Sequence, residues 1–154
     1  MEVRLPIMRK KYCLIANILL LFWFFLDMTG VYFGDKYLVA ASFKDDWIFM
    51  LIYLAVLIIF ILKEKIGKYT LIGWLSVWFI SQFLSHEWYT IFGKGFMGTI
   101  ENKIKYFENS LKLIESSTIY YPDAYHIILH ILILVSLVMT IKYCVKKRAI
   151  KKAN

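Results

Sequence analysis

Several residues that organise soluble domains are scarce in this sequence. Among its 154 residues there are two cysteines and two prolines. No C-x-x-C pair occurs, which disfavours the small four-helix oxidoreductases that form disulfides with quinones. Cys13 and Cys144 are instead predicted at helix ends on a reducing side, where thiols stay free. Charged residues make up 19%, too few for a disordered chain.

Two short motifs are incomplete, and each incompleteness excludes a class of protein. The stretch HEWYT has Thr90 where the metalloprotease motif H-E-x-x-H needs a second histidine. Gly93, Gly95 and Gly98 spell G-x-G-x-x-G, but a dinucleotide site also needs a preceding strand, which is not predicted here. We therefore interpret the glycines as a flexible break.

Apolar residues are abundant and account for 60% of the chain. They are concentrated in four segments, residues 12–33, 47–62, 70–92 and 124–144. Crossing a bilayer takes about 20 apolar residues in a helix. The sequence therefore predicts an all-α membrane protein, a bundle of four transmembrane helices that forms a single domain over residues 1–154.

The basic residues predict the orientation of this bundle. They cluster near both termini and between the second and third segments, whereas all acidic residues except Glu2 and Glu64 fall on the other side. Cytoplasmic loops retain Lys and Arg, so both termini are predicted to be cytoplasmic. The excess of Lys over Arg suggests a bacterial plasma membrane. The basic tail is interpreted as a contact with anionic membrane lipids and not with nucleic acid.

An amphipathic helix is predicted in the outer loop, over residues 99–117. Thr99 can cap its N-terminus and Glu101 lies in its first turn. Apolar residues spaced four and three apart form one stripe: Ile100, Ile104, Phe107, Leu111 and Ile114. We expect this helix to lie in the outer interface, against lipid or over the bundle mouth, or to bind a partner membrane protein.

Ionisable residues inside the predicted spans mark a candidate site. Asp27, His86 and His130 each lie six residues from the outer end of their segment, at a depth of about 9 Å. His126 shares a helix face with His130, and Glu87 lies one turn nearer the water. Such residues are costly in a membrane, so they usually face the bundle interior and serve a function.

Zinc is the cofactor that this set predicts. His86, His126 and His130 are the candidate ligands, and Asp27 and Glu87 are the candidate catalytic carboxylates. The set is chemically similar to that of the alkaline-ceramidase-like membrane hydrolases, whose zinc is held by a helix-borne H-x-x-x-H and a third histidine. That similarity covers a handful of residues, and those proteins have seven spans. It implies a hydrolase acting on a lipid or lipid-linked substrate.

Two other functions fit the same residues. His86 and His130 could hold a haem from two helices. Alternatively, the protein is a non-enzymatic accessory, immunity-type or transporter subunit, in which polar side chains bridge the helices. The zinc hypothesis makes the strictest geometric demand, because all three histidines must lie within reach of one ion or water, with Asp27 or Glu87 as the nearest carboxylate.

Overall fold

The computed structural model describes residues 9–95, 98–116 and 118–153, with the backbone alone for residues 146–153. Most of these residues are helical. The elements, in chain order, are α1 (Lys10–Thr29), β1 (Val31–Phe33), β2 (Lys36–Val39), α2 (Phe43–Leu62), α3 (Glu64–Ser85), α4 (Glu87–Phe92), α5 (Ile100–Tyr106) and α6 (Ala124–Ala153).

Three helices within the described ranges are long and apolar enough to cross a membrane. They are α1, α2 and the Ala124–Val145 part of α6. Helix α3 has 22 residues but is more polar, because serines, glycines and Gln82 interrupt its apolar residues. These features support a mostly helical membrane protein.

The four long helices form a closed ring. Helix α1 packs on α2 and α6, and α3 packs on the same two helices from the opposite side. Trp78 fills the centre, with its ring 4.7 Å from Phe24 and 5.3 Å from Tyr53 between centroids, both edge to face. Such pairs add to the gain from burying the rings. This aromatic layer separates the two ends of the bundle.

A β-hairpin follows α1, where the sequence predicted that the first helix continues to residue 33. The helix ends at Thr29 because Gly30 takes φ 72° and its N–H bonds the carbonyl of Leu26. Gly34, with φ 61°, opens the two-residue connection between β1 and β2. The hairpin therefore corrects the all-α prediction over a few residues.

Other boundaries also differ from the sequence prediction. Helix α2 begins at Phe43, and α3 runs from Glu64 to Ser85, where a single segment 70–92 was predicted. The segment breaks at His86, and α4 continues to Phe92. Helix α6 extends past the predicted residue 144, to Ala153.

The amphipathic helix is much shorter than predicted. Thr99 is its N-cap and accepts a hydrogen bond from Asn102 N, as predicted, but α5 ends at Tyr106. Beyond it the chain pairs with the hairpin instead, since Tyr37 N donates to Asn109 O and Leu111 N donates to Tyr37 O. The predicted end, residue 117, lies outside the described residues.

Candidate functional site

A cavity of about 440 Å³ lies at the end of the bundle where the hairpin and the outer loop meet the helices. We call it the acidic chamber. Its apolar wall is largely aromatic. Its polar wall contains four aspartates, and all of them except Asp45 are buried or half-buried. The aromatic lining residues are Phe24, Tyr37, Phe49, Trp78, Tyr106, Phe107 and Tyr125; the polar ones are Asp27, Ser42, Asp45, Asp46, Ser81, Gln82, Ser85, Asp123 and His126.

Asp27 and Asp46 form a carboxyl pair in this chamber. Asp27 is 5% exposed, near the end of α1, and its carboxyl group lies next to that of Asp46. Asp46 reaches it from the first turn of α2. Two carboxylates that face each other repel when both are ionised, so a cation beside them stabilises the pair.

The Tyr125 hydroxyl is the polar group with the least obvious role in this fold. Tyr125 is 1% exposed, and its ring stacks on Trp23 at 5.6 Å. Its Oη is buried and has no hydrogen-bond partner among the described residues, yet the side chain lines the acidic chamber. A buried hydroxyl without a partner costs about 1–3 kcal/mol, so a ligand that meets it gains affinity.

Two of the three histidines come together beside the chamber. The rings of His86 and His126 stack with their centroids 4.0 Å apart. His126 Nδ1 lies 2.7 Å from Asp123 Oδ1, which also caps α6 by accepting from His126 N. His86 Nδ1 bonds the Tyr120 hydroxyl at 2.7 Å.

Burial and neighbouring charges favour the neutral form of His86, the more buried histidine of this stack. Burial, helped by His126 and by Lys103, holds the pKa of His86 well below its usual range. Burial likewise raises the pKa of the Tyr120 hydroxyl that bonds it. Lys103, whose own pKa is lowered by burial, lines an adjoining cavity of about 430 Å³ together with both histidines.

The His130 side chain does not join the stack of His86 and His126. Its Nδ1 bonds Glu87 Oε1 at 2.6 Å, and its ring packs on Phe79 with centroids 4.3 Å apart. Glu87 is therefore the carboxylate partner of His130, whereas the carboxylate that bonds His126 is Asp123. His126 and His130 share a face of α6, but His126 lines the acidic chamber and His130 a groove between α3, α4 and α6.

The predicted zinc site finds no support in this arrangement. Within residues 9–95, 98–116 and 118–153, no three His, Cys, Asp or Glu side chains are placed to hold a metal ion. The geometry splits the five predicted site residues into Asp27 in the chamber, the His86–His126 stack beside it, and the Glu87–His130 pair outside it. The zinc hydrolase and the haem carrier stay untested predictions.

No family model matches the sequence, and no match is found among curated proteins or solved structures. The chamber and the groove are therefore the features of the structure that bear on function.

Sequence reasoning missed two chamber residues, Asp46 and Tyr125. Asp46 lies in the first turn of α2, where the helix dipole favours carboxylates. This preference could have moved the predicted start of the second helix from residue 47 to a position before Asp46. Tyr125 is one of three tyrosines in the stretch YYPDAY, where the last predicted span begins. Nothing in the sequence distinguishes its hydroxyl from those of Tyr120 and Tyr121.

Proposed function

We propose that this protein is a four-span membrane protein that binds a protonated amine in the acidic chamber. In this proposal α1, α2, α3 and α6 cross a bacterial plasma membrane, with both termini in the cytoplasm and α5 at the outer surface. Helix α3 is included because it packs between two apolar helices and follows α2 after Lys63 alone. At 1.5 Å per residue its length matches the bilayer core.

The observation that carries the proposal is the unpartnered Tyr125 hydroxyl in a cavity that also holds the Asp27–Asp46 pair. An ammonium group can donate to both carboxyl groups and to the tyrosine oxygen, which satisfies the hydroxyl and compensates the buried charge. Tyr125 lines the same cavity as Asp27, Asp46 and Asp123, so a ligand in the chamber has the tyrosine and these carboxyl groups around it.

The rest of the chamber also favours an organic cation. Among the described residues, no Lys or Arg lines it. Aromatic faces attract cations and pack against alkyl or aryl groups. A volume of about 440 Å³ suits a small organic molecule far better than a bare metal ion.

The shape of the bundle favours binding over conduction. Below the chamber, the Phe24–Trp78–Tyr53 layer is buried, and the Tyr53 hydroxyl bonds Asn17 Oδ1 at 3.0 Å. These contacts close the path toward the other end. A ligand therefore enters and leaves at the hairpin side, as expected for a binding or accessory subunit.

Amine binding is measured on protein in phosphatidylcholine nanodiscs, by titrating phenylethylamine and following the melting temperature and the heat of binding. We expect phenylethylamine to stabilise the wild type and the neutral phenylacetamide to leave it unchanged. The double variant Asp27→Asn/Asp46→Asn should bind the amine at least about tenfold more weakly, a loss of about 1.4 kcal/mol, because the anionic partner is gone.

Asp35→Asn is the matched control, since Asp35 lies exposed at the hairpin turn, outside the chamber. It should bind the amine as the wild type does. Equal stabilisation by amine and amide, or undiminished binding in the double variant, would refute the proposal. Nanodiscs that contain phosphatidylethanolamine show whether the natural amine belongs to a lipid. If this lipid blocks the binding of phenylethylamine, the natural ligand is an aminolipid headgroup. If binding is unchanged, the natural ligand is a free amine.

A further inference from the structure

A second cavity, separate from the acidic chamber, opens on the side of the bundle. This lateral groove has a volume of about 430 Å³ and is lined mainly by apolar side chains, among them Phe79, Ile127 and Leu134. Ile91 and Ile131, which also line it, are 61% and 55% exposed. In a membrane-spanning bundle these side chains face lipid, so molecules dissolved in the bilayer can reach the groove directly.

Three buried polar atoms belong to side chains that line this apolar groove. Glu87 Oε2, His130 Nε2 and Thr90 Oγ1 have no hydrogen-bond partner among the described residues. Native proteins leave few such atoms unsatisfied. Three of them on one groove indicate a ligand that supplies the missing bonds.

The donor and acceptor pattern defines the ligand's polar group. When His130 Nδ1–H donates to Glu87 Oε1, at 2.6 Å, the neutral imidazole presents Nε2 as an acceptor. Glu87 Oε2 is also an acceptor. Thr90 can donate. A single hydroxyl group meets two of these three atoms, because it donates to either His130 Nε2 or Glu87 Oε2 and accepts from Thr90 Oγ1. Ethers, esters and ketones only accept, and leave both acceptors without a partner.

We infer that the lateral groove binds a membrane-dissolved alcohol, that is, a hydroxyl group attached to an apolar chain or ring. The hydroxyl lies against Glu87, Thr90 and His130, and the apolar part lies along Phe79, Ile131 and Leu134. This site shares no lining residue with the acidic chamber. Alcohol binding in the groove can therefore be tested independently of amine binding in the chamber.

Photolabelling tests this inference on the full chain in phosphatidylcholine nanodiscs. The probe is a dodecanol with a mid-chain diazirine, and labelled peptides are located by mass spectrometry. We expect labelling around residues 79, 127–134 or 91. Unlabelled dodecanol should compete at least about tenfold better than dodecyl methyl ether, which has the same chain but cannot donate a hydrogen bond.

A near-isosteric variant adds a second readout. Thr90→Val removes one hydroxyl without a change of shape and should weaken labelling about threefold to tenfold, the value of one hydrogen bond. Thr70→Val is the matched control at the opposite end of α3, where Thr70 Oγ1 bonds Gly67 O, and its labelling should match the wild type.

Two competitors identify the source of the alcohol. If dioleoylglycerol competes and a prenylated hydroquinone does not, the ligand is a lipid alcohol; the reverse result indicates a quinol. Equal competition by dodecanol and its methyl ether, together with unchanged labelling of Thr90→Val, would show that the probe only partitions into an apolar surface. That result overturns the inference and leaves the amine proposal untouched.

Discussion

Replacing Gly67 by alanine is expected to destabilise the protein by about 2–3 kcal/mol, because it forces two helix backbones apart. A Cβ at this position would collide with the Cα and N atoms of Phe60. Both are backbone atoms, which cannot move aside as the end of a flexible side chain could. Since Lys63 alone joins α2 to α3, the strain cannot be absorbed in a connecting loop.

Gly73, in the same helix, provides the matched control. A Cβ there meets nothing within 4 Å, so Gly73→Ala should stabilise the helix by about 0.5–1 kcal/mol through its higher helical propensity. Titration of both variants with SDS in detergent micelles, followed by helical circular dichroism, gives the two midpoints. Similar midpoints for the two variants would contradict the close approach of α2 and α3.

Trp78→Ala should cost about 3–5 kcal/mol, the usual loss when a large buried aromatic side chain is truncated. Trp78 is 1% exposed and contacts Phe24 and Tyr53 edge to face. The substitution removes the centre of the aromatic layer and leaves a cavity between the chamber and the lower half of the bundle. The same SDS titration measures the loss.

Trp47, at the start of α2, is the control for this change because it is 44% exposed. Trp47→Ala should change the stability by only about 0.5 kcal/mol. If the two tryptophan variants unfold at the same SDS concentration, the aromatic layer does not hold the bundle together.

The helices were predictable from the sequence because a run of apolar residues long enough for a bilayer has few alternatives. All four predicted segments contain a long helix. Their ends were less predictable. The stretch VYFGDKYLV is apolar and aromatic enough for either a helix or a hairpin. The positive φ values of Gly30 and Gly34 favour the hairpin. The available signal was a short run of β-branched and aromatic residues, Val31 to Phe33, between these two glycines.

The site was only partly predictable, since its essential contacts join residues far apart in the chain. The depth argument placed Asp27, His86 and His130 at one level, but depth does not say which way a side chain points. The break at His86 turned α4 so that Glu87 meets His130. Contacts such as His86 with Tyr120 depend on the path of the outer loop, which periodicity does not reveal.

The two cysteines of the chain have a practical consequence. Both are free thiols and buried, Cys13 fully and Cys144 at 5% exposure, so the folded protein offers maleimides almost no background reaction. A cysteine introduced at Asp35, on the exposed hairpin turn, would be the only readily accessible thiol. Its modification by a membrane-impermeant maleimide in intact cells would report directly which side of the bilayer the hairpin faces.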